Sequence, residues 1–569
     1  MNTTKMAVRM IAELCKQHGM RKVVFSPGSR SAPIYIAFSQ IPEIECIIIP
    51  DERVAGYFAL GMAQQSRELI GVVCTSGTAV VNLAPSYYEA YYQQQAVIYI
   101  SADRPEQAFM KGDNQAIDQS YALSTEDTEA ISFNAEETEL TELNEQLNNI
   151  NWTLKTSNFD TPTPAHINIY LDEPLYDLTE EPLRHFDAEE VRLDISSKLL
   201  KSDKEKIIAK FSTFHKKMII VGLHEPNKEF VRRISQLSHR KDILIVRETT
   251  SNLPIKNSVM NVDACITVMN EFSNEFLIPE VVITMGRQIV SKKVKEFLKH
   301  QPQLHWDIEE EWSAQRNWSF LGEDIYDEIS QGNEIEFLDA LLETPESVTS
   351  DFREQWMSLS SYAKQKTEKY LEQIPFSDMK VFELLIPSFP NDANIQYGNS
   401  TPVRYSNLFR HQTPGLTVHS NRGTSGIDGC VSTAAGAAYA NKRMTLSIVG
   451  DISFFYDSNA LWNNFLTPDF RVIVINNSGG NIFRLIEGPT KLKGFEEFFE
   501  TRHQLTAKHL AAHHQIPYYY CDNQHDLEII LQTFYEPHNG KPAILEIKTN
   551  GKVSAEVYKN YFKYLKQSS

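Results

Sequence analysis

Short apolar runs alternate with longer amphipathic stretches along most of the chain. Runs this short and this rich in Val and Ile are typical of strands buried on both faces of a parallel sheet. The predicted strands are residues 23–26, 46–49, 70–75, 96–101, 166–171, 218–221, 243–246, 281–283, 305–307, 446–449, 472–475 and 543–548. The pattern predicts an α/β protein built from doubly wound parallel sheets.

The alternation is interrupted twice, which divides the chain into three regions. An acidic stretch at 177–190 follows the first group of strands, and a helical passage at 334–373 follows the second. A chain of 569 residues is long enough for roughly three or four domains. We expect domains at 1–185, 186–345 and 346–569, each with its own parallel sheet.

The third region contains a strand, a short helix predicted at 458–465, and a second strand. The first strand ends in Gly450-Asp451 and the second in the sequence NNSGG at 476–480. A right-handed crossover brings both ends to the same sheet edge, where ligands of open α/β sheets bind. A carboxylate and an amide oxygen suit Mg²⁺, which completes its shell with water and phosphate oxygens. The pair Asp451 and Asn477 therefore predicts half of a metal-diphosphate site.

Strand ends in the first region also carry residues capable of chemistry. They are SPGSRS at 26–31, DER at 51–53, TSGTA at 75–79 and SADRP at 101–105. The helix that TSGTA opens could receive an anion on its free N–H groups. All four sequences are equally ordinary strand-to-helix connectors, and a single Glu such as Glu52 is more often a helix N-terminal residue than a catalyst.

Composition restricts the partners. With 55 basic and 74 acidic residues the formal net charge is -19, which argues against binding to nucleic acid or to an anionic membrane. An anionic substrate would need a locally basic site. The six cysteines show no CxxC pair, which indicates reduced thiols and a cytoplasmic protein. No apolar stretch approaches the ~18 residues of a membrane span.

Two further sequences have residues that could bind a ligand. His509 and His513 have the i, i+4 spacing of a zinc-binding pair, with His514 beside them. Without HExxH or an obvious third ligand we do not expect a metal there. The basic turn Ser291-Lys292-Lys293 is by default a solvated surface, with an anion site as the alternative.

Three αβ regions of similar size resemble the thiamine diphosphate decarboxylase superfamily, which has pyrimidine-binding, central and diphosphate-binding domains. Gly450-Asp451 followed by Asn477, 26 residues after the aspartate, is similar to its diphosphate signature. The resemblance narrows with SPGSRSAP, DERVAG, TSGTAV, ADRP, NQAIDQ, GNS with a following arginine, SNRGTSGIDG, GDISF and NNSGGNIF. Together these closely resemble the 2-succinyl-5-enolpyruvyl-6-hydroxy-3-cyclohexene-1-carboxylate synthase family of the menaquinone pathway.

The resemblance implies thiamine diphosphate and Mg²⁺ or Mn²⁺ as cofactors. It implies that Glu52 is catalytic: its carboxylate bonds the pyrimidine ring and promotes loss of the proton from the reactive thiazolium carbon. The implied metal ligands are Asp451, Asn477 and Gly479. The other implied cofactor-binding residues are Thr75, Ile427, Gly450, Ser453, Ile482 and Phe483.

The implied reaction is that of a transferase that decarboxylates 2-oxoglutarate and adds the remaining carbanion to isochorismate by 1,4-addition. Each substrate carries two carboxylates, which guanidinium groups bind bidentately. The implied substrate residues are Ser29, Arg30, Arg104, Gln115, Lys293, Ser400, Arg404 and Arg422. Lys292-Lys293 departs from the Lys-Arg pair of the family, so which lysine makes the contact stays open.

The implied assembly is a homodimer or homotetramer whose active sites are shared between subunits. Two alternatives are kept: another thiamine diphosphate enzyme, such as a 2-oxoacid decarboxylase or an acetolactate synthase, and a non-catalytic binding protein with a decayed site. The set of arginines and the lack of a visible flavin site argue against the first. The presence of Glu52, Asp451 and Asn477 argues against the second.

Overall fold

The computed structural model describes residues 1–111, 114–125, 128–137, 139–159, 162–183, 199, 201–269, 276–299, 301–308, 334–347, 349–409, 413–486 and 488–567. Three parallel sheets lie in these ranges, each flanked by helices. The α/β fold class predicted from the apolar pattern is confirmed. Within the described ranges, no helix combines the length and the apolar character needed to cross a membrane.

The first sheet has six parallel strands. The strands of this region are β1 (Asn2–Thr3), β2 (Lys22–Phe25), β3 (Glu45–Ile48), β4 (Ile70–Cys74), β5 (Val97–Asp103), β6 (Ile131–Asn134), β7 (Ala165–Tyr170) and β8 (Leu178–Thr179). The helices are α1 (Met6–Gln17), α2 (Ala32–Ser39), α3 (Glu52–Ser66), α4 (Thr78–Asn82), α5 (Ala84–Tyr92), α6 (Glu106–Lys111) and α7 (Leu140–Ser157). The strand order is β3-β2-β4-β5-β7-β6, and β1 pairs separately with β8. All residues of β4 and β5 are buried, as expected for central strands covered on both faces.

The second sheet has four parallel strands. They are β9 (Lys217–Val221), β10 (Ile243–Arg247), β11 (Val281–Met285) and β12 (Leu304–Ile308), in the order β10-β9-β11-β12. The helices around them are α8 (Lys201–Phe211), α9 (Lys228–Leu237), α10 (Val262–Val268), α11 (Lys292–Leu298) and α12 (Glu334–Leu342).

The third sheet again has six parallel strands. They are β13 (Asn394–Tyr397), β14 (Thr417–Ser420), β15 (Thr445–Gly450), β16 (Phe470–Asn476), β17 (Tyr518–Cys521) and β18 (Ala543–Lys548), in the order β14-β13-β15-β16-β18-β17. The helices are α13 (Phe352–Leu371), α14 (Asp378–Leu385), α15 (Thr401–Ser406), α16 (Cys430–Asn441), α17 (Asp451–Tyr456), α18 (Ile482–Leu485), α19 (Phe495–Phe498), α20 (Lys508–His513), α21 (Gln524–Leu531) and α22 (Gly551–Leu565).

Helices α3 and α16 join the first and third regions at very close range. A Cβ added at Gly61 would lie 1.9 Å from the carbonyl oxygen of Thr433, and one added at Gly436 would lie 1.9 Å from that of Phe58. Side chains of any size would separate the two helices. The glycines therefore let the backbones pack directly and hold the start of α3 against the third region.

Two details of the predicted elements differ from the structure. The helix expected at 458–465 is wrong: the helix is α17, which starts directly after β15, and only a 3-10 turn (Ser458–Leu461) follows it. Asp451 favours this early start because its side chain accepts the N–H of Ile452 at 2.8 Å. The strands β6, β13, β14 and β17 were not predicted, because their short and partly polar sequences lack the continuous apolar run of the other strands, and the two-residue strands β1 and β8 were not predicted either.

The expected domain boundaries stay predictions. The first, at 185/186, lies outside the described residues. The second, at 345/346, falls between α12 and α13.

Candidate active site

The carboxyl edge of the third sheet brings together the three predicted metal ligands. β15 and β16 are neighbours in register, with Gly450 opposite Ile475, so Asp451 and Asn477 follow adjacent strand ends. Asp451 is buried, and its Oδ2 accepts the N–H of Gly479 at 3.0 Å. The sharp turn at Gly479, with φ of 152°, places that N–H against the carboxylate.

Only one of the two polar atoms in the Asn477 side-chain amide makes a hydrogen bond within the described residues. Its Nδ2 donates to Asp378 Oδ2 at 2.9 Å, whereas Oδ1 is buried and has no hydrogen-bond partner in the described part of the chain. A buried acceptor without a partner costs about 1–3 kcal/mol unless a ligand satisfies it. A free amide oxygen beside a buried carboxylate fits a hard divalent cation such as Mg²⁺ or Mn²⁺. The residues present therefore fit the metal half of the predicted site.

Two residues that the sequence did not single out lie beside this edge. His503 Nε2 is 3.2 Å from Asp451 Oδ2, and its Nδ1 accepts the N–H of Leu505 at 3.1 Å. Asn481 is buried with neither amide atom bonded within the described residues. Both side chains add polar groups to the place where a diphosphate would lie.

Five other predicted cofactor residues lie on the elements of this edge or on the loop joined to it. A Cβ added at Gly450 would meet nothing within 4 Å, so the backbone there faces open space. Ser453 Oγ donates to the carbonyl oxygen of Ile427 at 2.8 Å, which ties the 427 loop to α17. Ile427 is half-buried, as are Ile482 and Phe483 on α18. This leaves apolar surface available to a ring next to the polar edge.

A cavity of about 610 Å³ opens between the second and third sheets. Its lining includes Lys293, Arg404 and Ile482 of the predicted site, and also Lys292. Tyr558 and Phe562 of α22 line it too, although no sequence motif indicated them. The volume is in the range of small-molecule sites, and its chemistry combines cations with apolar walls.

The cations of this cavity are held in place by neighbouring groups. Lys293 Nζ donates to Thr267 Oγ1 at 3.1 Å and lies 3.7 Å from the centre of the Phe562 ring. Arg404 Nη1 donates to the carbonyl oxygen of Ser400 at 2.5 Å. Burial lowers the pKa of both cationic groups, because desolvation penalises the charged form. An anion entering the cavity would relieve that penalty.

Arg422 lies close to this group. Its Nη1 donates to Asn399 Oδ1 at 3.3 Å, and its Nε is buried without a partner among the described residues. Burial, and then the neighbouring Arg404, lower the pKa of Arg422. The loop that carries Arg422 is fixed by Glu89 of α5, whose two carboxylate oxygens accept the N–H groups of residues 423 and 424, both at 2.7 Å.

Two buried acids hold the turn that carries the lysines. Glu248 accepts the N–H groups of Val290 and Ser291, both at 2.7 Å, and Asp263 accepts the Ser291 hydroxyl. Burial raises the pKa of Glu248 to about 7. The two acids fix the start of α11, so Lys292 and Lys293 both face the cavity, Lys292 at its exposed side.

The other predicted residues gather at the carboxyl edge of the first sheet. A Cβ added at Gly28, next to Ser29, would lie 2.2 Å from Thr75 Cβ, and one added at Gly77 would lie 3.0 Å from the carbonyl oxygen of Gln115. The loops after β2 and β4 are therefore in direct contact. Ser29, Thr75 and Gln115 belong to one surface.

The two arginines of this edge, Arg30 and Arg104, differ in how many hydrogen bonds their guanidinium groups make to the rest of the chain. Arg30 Nη1 donates to the carbonyl oxygen of Leu171 at 2.8 Å, and its Nη2 lies 3.4 Å from Glu173. Arg104 has a buried Nε without a partner among the described residues. Its guanidinium is thus the freer of the two for a carboxylate.

Glu52 is the first residue of α3 and is half-buried. Asp51 caps the helix by accepting the N–H groups of Arg53 and Val54, and Glu52 Oε2 accepts Asn82 Nδ2 at 3.3 Å. Arg53 Nη1 donates to the carbonyl oxygen of Asp428, so the residue next to Glu52 touches the third region of the same chain.

The structure thus divides the predicted residues into two groups. Within the described ranges, the hydrogen bonds found for Arg30 lead to residues 171 and 173, whereas those of Lys293 and Arg404 in the cavity, and of the nearby Arg422, lead to Thr267, Ser400 and Asn399. The histidine pair of α20 stays outside both groups. No group of three or more His, Cys, Asp or Glu side chains able to hold a metal assembles among the residues described.

Comparison with known proteins identifies a matching family and several named relatives. The family described as "Thiamine pyrophosphate enzyme, N-terminal TPP binding domain" matches residues 6–122, which include Glu52. Three relatives carry the name 2-succinyl-5-enolpyruvyl-6-hydroxy-3-cyclohexene-1-carboxylate synthase. They come from Flavobacterium johnsoniae (37% identity, 98% of each chain), Flavobacterium psychrophilum (36%, 98% of each) and Porphyromonas gingivalis (33%, 99% of this chain and 98% of the relative).

Proposed function

The chain belongs to the 2-succinyl-5-enolpyruvyl-6-hydroxy-3-cyclohexene-1-carboxylate synthase family, and on that premise we propose the reaction it catalyses. It is a transferase that decarboxylates 2-oxoglutarate and adds the succinyl semialdehyde unit to isochorismate in menaquinone biosynthesis. The observation that carries the proposal is the Asn477 Oδ1, without a partner among the described residues, at an edge next to a cavity lined by the half-buried cations Lys293 and Arg404. A metal-diphosphate site beside a site for carboxylates is what the reaction requires.

At the third sheet, Asp451, Asn477 and the carbonyl oxygen of Gly479 would hold Mg²⁺ or Mn²⁺, which would neutralise the charge of a bound diphosphate. When bound, thiamine diphosphate supplies an electron sink for the electrons released as the substrate carboxylate leaves. Gly450, Ser453 and Thr75 contact the cofactor, and Ile427, Ile482 and Phe483 provide apolar contact to its rings. These roles explain why free polar atoms and half-buried apolar side chains meet at one edge.

Glu52 acts on protons. Its carboxylate would hydrogen-bond the pyrimidine ring of the bound cofactor and would act there as a general acid–base group. Asn82 at 3.3 Å holds the carboxylate from the other side.

The two groups of substrate residues orient the carboxylates of two dianionic substrates. One group is Ser29, Arg30, Arg104 and Gln115, and the other is Lys293, Ser400, Arg404 and Arg422. Burial lowers the pKa of both Arg404 and Arg422, and the neighbouring Arg404 lowers the pKa of Arg422 further, so an incoming carboxylate gains from both. The apolar wall formed by Ile482 and Phe562 excludes water from the bound substrate.

The test is product analysis. Purified protein is incubated with thiamine diphosphate, Mg²⁺, 2-oxoglutarate and isochorismate, and the product is identified by mass. The proposal predicts the coupled product only when all four are present, and no product from the Glu52→Gln variant. Release of CO₂ with isochorismate unchanged would instead indicate a simple decarboxylase, and acetolactate from pyruvate would indicate an acetolactate synthase.

We also propose a cytoplasmic homodimer or homotetramer whose sites are shared between subunits. All six cysteines are free, as expected in a reducing compartment. The separation of the first-sheet residues from the cavity cations within one chain favours completion of each site by a partner. The contact of Arg53 with Asp428 within one chain favours the opposite arrangement.

Mixing two inactive variants distinguishes these arrangements. Glu52→Gln and Asp451→Ala chains are dissociated, mixed and reassociated. If sites are shared, half of the dimers are mixed and one of their two sites is intact, so activity returns to roughly a quarter of wild type. No recovery, with mixed dimers shown to have formed, would place Glu52 and Asp451 of one chain in the same site.

A further inference from the structure

A fully buried carboxylate lies behind the proposed metal ligand Asn477. Asp378 begins α14, outside the sequence motifs, and is 0% exposed. Its Oδ2 accepts Asn477 Nδ2 at 2.9 Å. Its Oδ1 accepts the hydroxyl groups of Thr549 at 2.6 Å and Ser554 at 3.0 Å. The carboxylate is thus surrounded by donors.

The hydrogen bond from Asn477 to Asp378 determines which atom of the Asn477 amide faces the proposed metal site at the carboxyl edge of the third sheet. A carboxylate accepts hydrogen bonds, so it selects the amide nitrogen, and the amide oxygen then points the opposite way. That oxygen is the buried atom without a partner in the described chain. With the amide rotated by half a turn, an NH₂ group would face the cation and could not bind it.

We propose that Asp378 is a positioning residue that fixes the Asn477 amide with its oxygen toward the metal ion. The inference rests on the proposed function, because it takes Asn477 as a metal ligand. Groups behind metal ligands typically change metal affinity about 10- to 100-fold when they are removed. Asp378 would contribute in this way without touching the metal or a substrate.

A purely structural role has to be separated from this one. Through Thr549, which follows β18, and Ser554, on α22, Asp378 also ties α14 to the rest of the third region. Loss of these bonds would lower stability without changing the metal site. The informative measurement is therefore metal affinity of the folded protein, with stability measured separately.

The experiment titrates Mn²⁺ into the protein in the presence of thiamine diphosphate and follows free Mn²⁺ by electron paramagnetic resonance. Asp378→Ala should weaken Mn²⁺ binding about 10- to 100-fold. Asp378→Asn should restore affinity to near wild type, because its amide oxygen can accept from Asn477 while its nitrogen donates to the two hydroxyl oxygens. If the alanine variant does not fold, Asp378→Ser, too short to reach Asn477, takes its place with the same expected loss.

Ser554→Ala is the matched control. It removes a bond to the other carboxylate oxygen, so it should lower the melting temperature and leave Mn²⁺ affinity unchanged. The loss caused by Asp378→Ala should also vanish when Asn477 is already alanine, since the two residues act as one unit.

The outcomes separate this inference from the proposed function. Unchanged Mn²⁺ affinity in Asp378→Ala, with weakened affinity in Asn477→Ala, would overturn the positioning role alone. Unchanged affinity in Asn477→Ala would overturn the metal site itself. Equal losses in Asp378→Ala and Ser554→Ala would assign both effects to stability and also refute the positioning role.

Discussion

The first and third sheets have the same strand order but different chemistry at their carboxyl edges. When the strands of each sheet are numbered from β2 and from β13, both sheets have the order 2-1-3-4-6-5. In each sheet, the order in which strands are added changes direction between the first and third strands, and ligands of such sheets bind at this switch point. The two regions are therefore two copies of one arrangement with separate tasks.

The difference lies in the residues that follow equivalent strands. After the third strand the first sheet has Thr75, whereas the third sheet has Asp451. The loop after the second strand carries Glu52 in the first sheet and Arg422 in the third sheet. The carboxylate that we propose for proton transfer and the carboxylate that we propose as a metal ligand thus follow different strand ends. The fold sets where a site forms, and the few residues after each strand set its chemistry.

The first and second sheets share a smaller feature. Ser101 of β5 pairs with Asn168 of β7 and contacts His166, and Thr284 of β11 pairs with Asp307 of β12 and contacts His305. Burial lowers the pKa of His166 to about 3 and of His305 to about 4, so both rings are neutral at pH 7. The repeated polar pairing lies inside the sheets and stabilises them without reaching the site.

The largest expected effect comes from Glu52, the carboxylate at the edge of the first sheet. Glu52→Gln should lower kcat about 10²- to 10⁴-fold, the range for loss of a general acid or base. Steady-state product formation measures it. Glu43→Gln, an exposed glutamate before β3, is the control and should behave as wild type. Full turnover by Glu52→Gln would remove the proton-transfer role from the first sheet.

The arginines test whether the third sheet also holds substrate. Arg404→Ala or Arg422→Ala should raise KM, or lower kcat/KM, about 10- to 100-fold, since a charge-assisted bond contributes about 1.5–3 kcal/mol. Cofactor binding should be retained. Kinetics with each substrate varied in turn make the measurement, and Arg232→Ala on the exposed face of α9 is the control. Wild-type kinetics in both variants would show that the carboxylates bind elsewhere.

The close contact of α3 and α16 tests how firmly the two regions are joined. Gly61→Ala would place a methyl group 1.9 Å from the Thr433 carbonyl oxygen, so the helices must separate. Overpacking of this kind costs about 1–3 kcal/mol. Chemical denaturation measures the loss, with Ser66→Ala at the end of α3 as the control. An unchanged free energy of unfolding would mean that the two regions are only loosely joined.

The smallest effect concerns Glu248, which lies between the second sheet and the cavity. Because burial raises its pKa from 4.5 to about 7, the folded protein keeps this proton where the unfolded chain has lost it. The stability it contributes is complete below pH 4.5 and is lost as pH rises through about 7. The slope is at most about 1.4 kcal/mol per pH unit.

Glu248→Gln should flatten the pH dependence of the free energy of unfolding over this interval. Denaturation curves from about pH 5 to about pH 8 measure it. Glu354→Gln, an exposed glutamate on α13, should leave the slope unchanged. The same slope in Glu248→Gln as in wild type would mean that Glu248 is ionised in the folded protein across this range.

The sequence was sufficient to predict the placement of candidate residues that directly follow a strand. Asp451 and Asn477 follow runs of buried apolar residues, and parallel neighbours must present their ends at one edge. It was insufficient where tertiary packing brings distant elements together. Asp378 comes from a helix that precedes the whole sheet, and Phe562, which contacts Lys293, comes from the last helix.

The position of Glu52 shows the same limit. Its place at the start of α3 follows from the capping residue Asp51, which a sequence pattern can indicate. Its distance from the third region depends on the glycines that let α3 and α16 approach, and on the Arg53 contact with Asp428. No periodicity along the chain encodes that contact.

The division of tasks between the two sheets is tested most directly by calorimetric titration of thiamine diphosphate with Mg²⁺ into three proteins. Wild type and Glu52→Gln should bind with similar affinity, because proton transfer is not needed for binding. Asp451→Ala should bind at least about 100-fold more weakly, because the metal shell is incomplete. Near-normal affinity in Asp451→Ala would contradict the account, since the third sheet would then not hold the diphosphate through a metal.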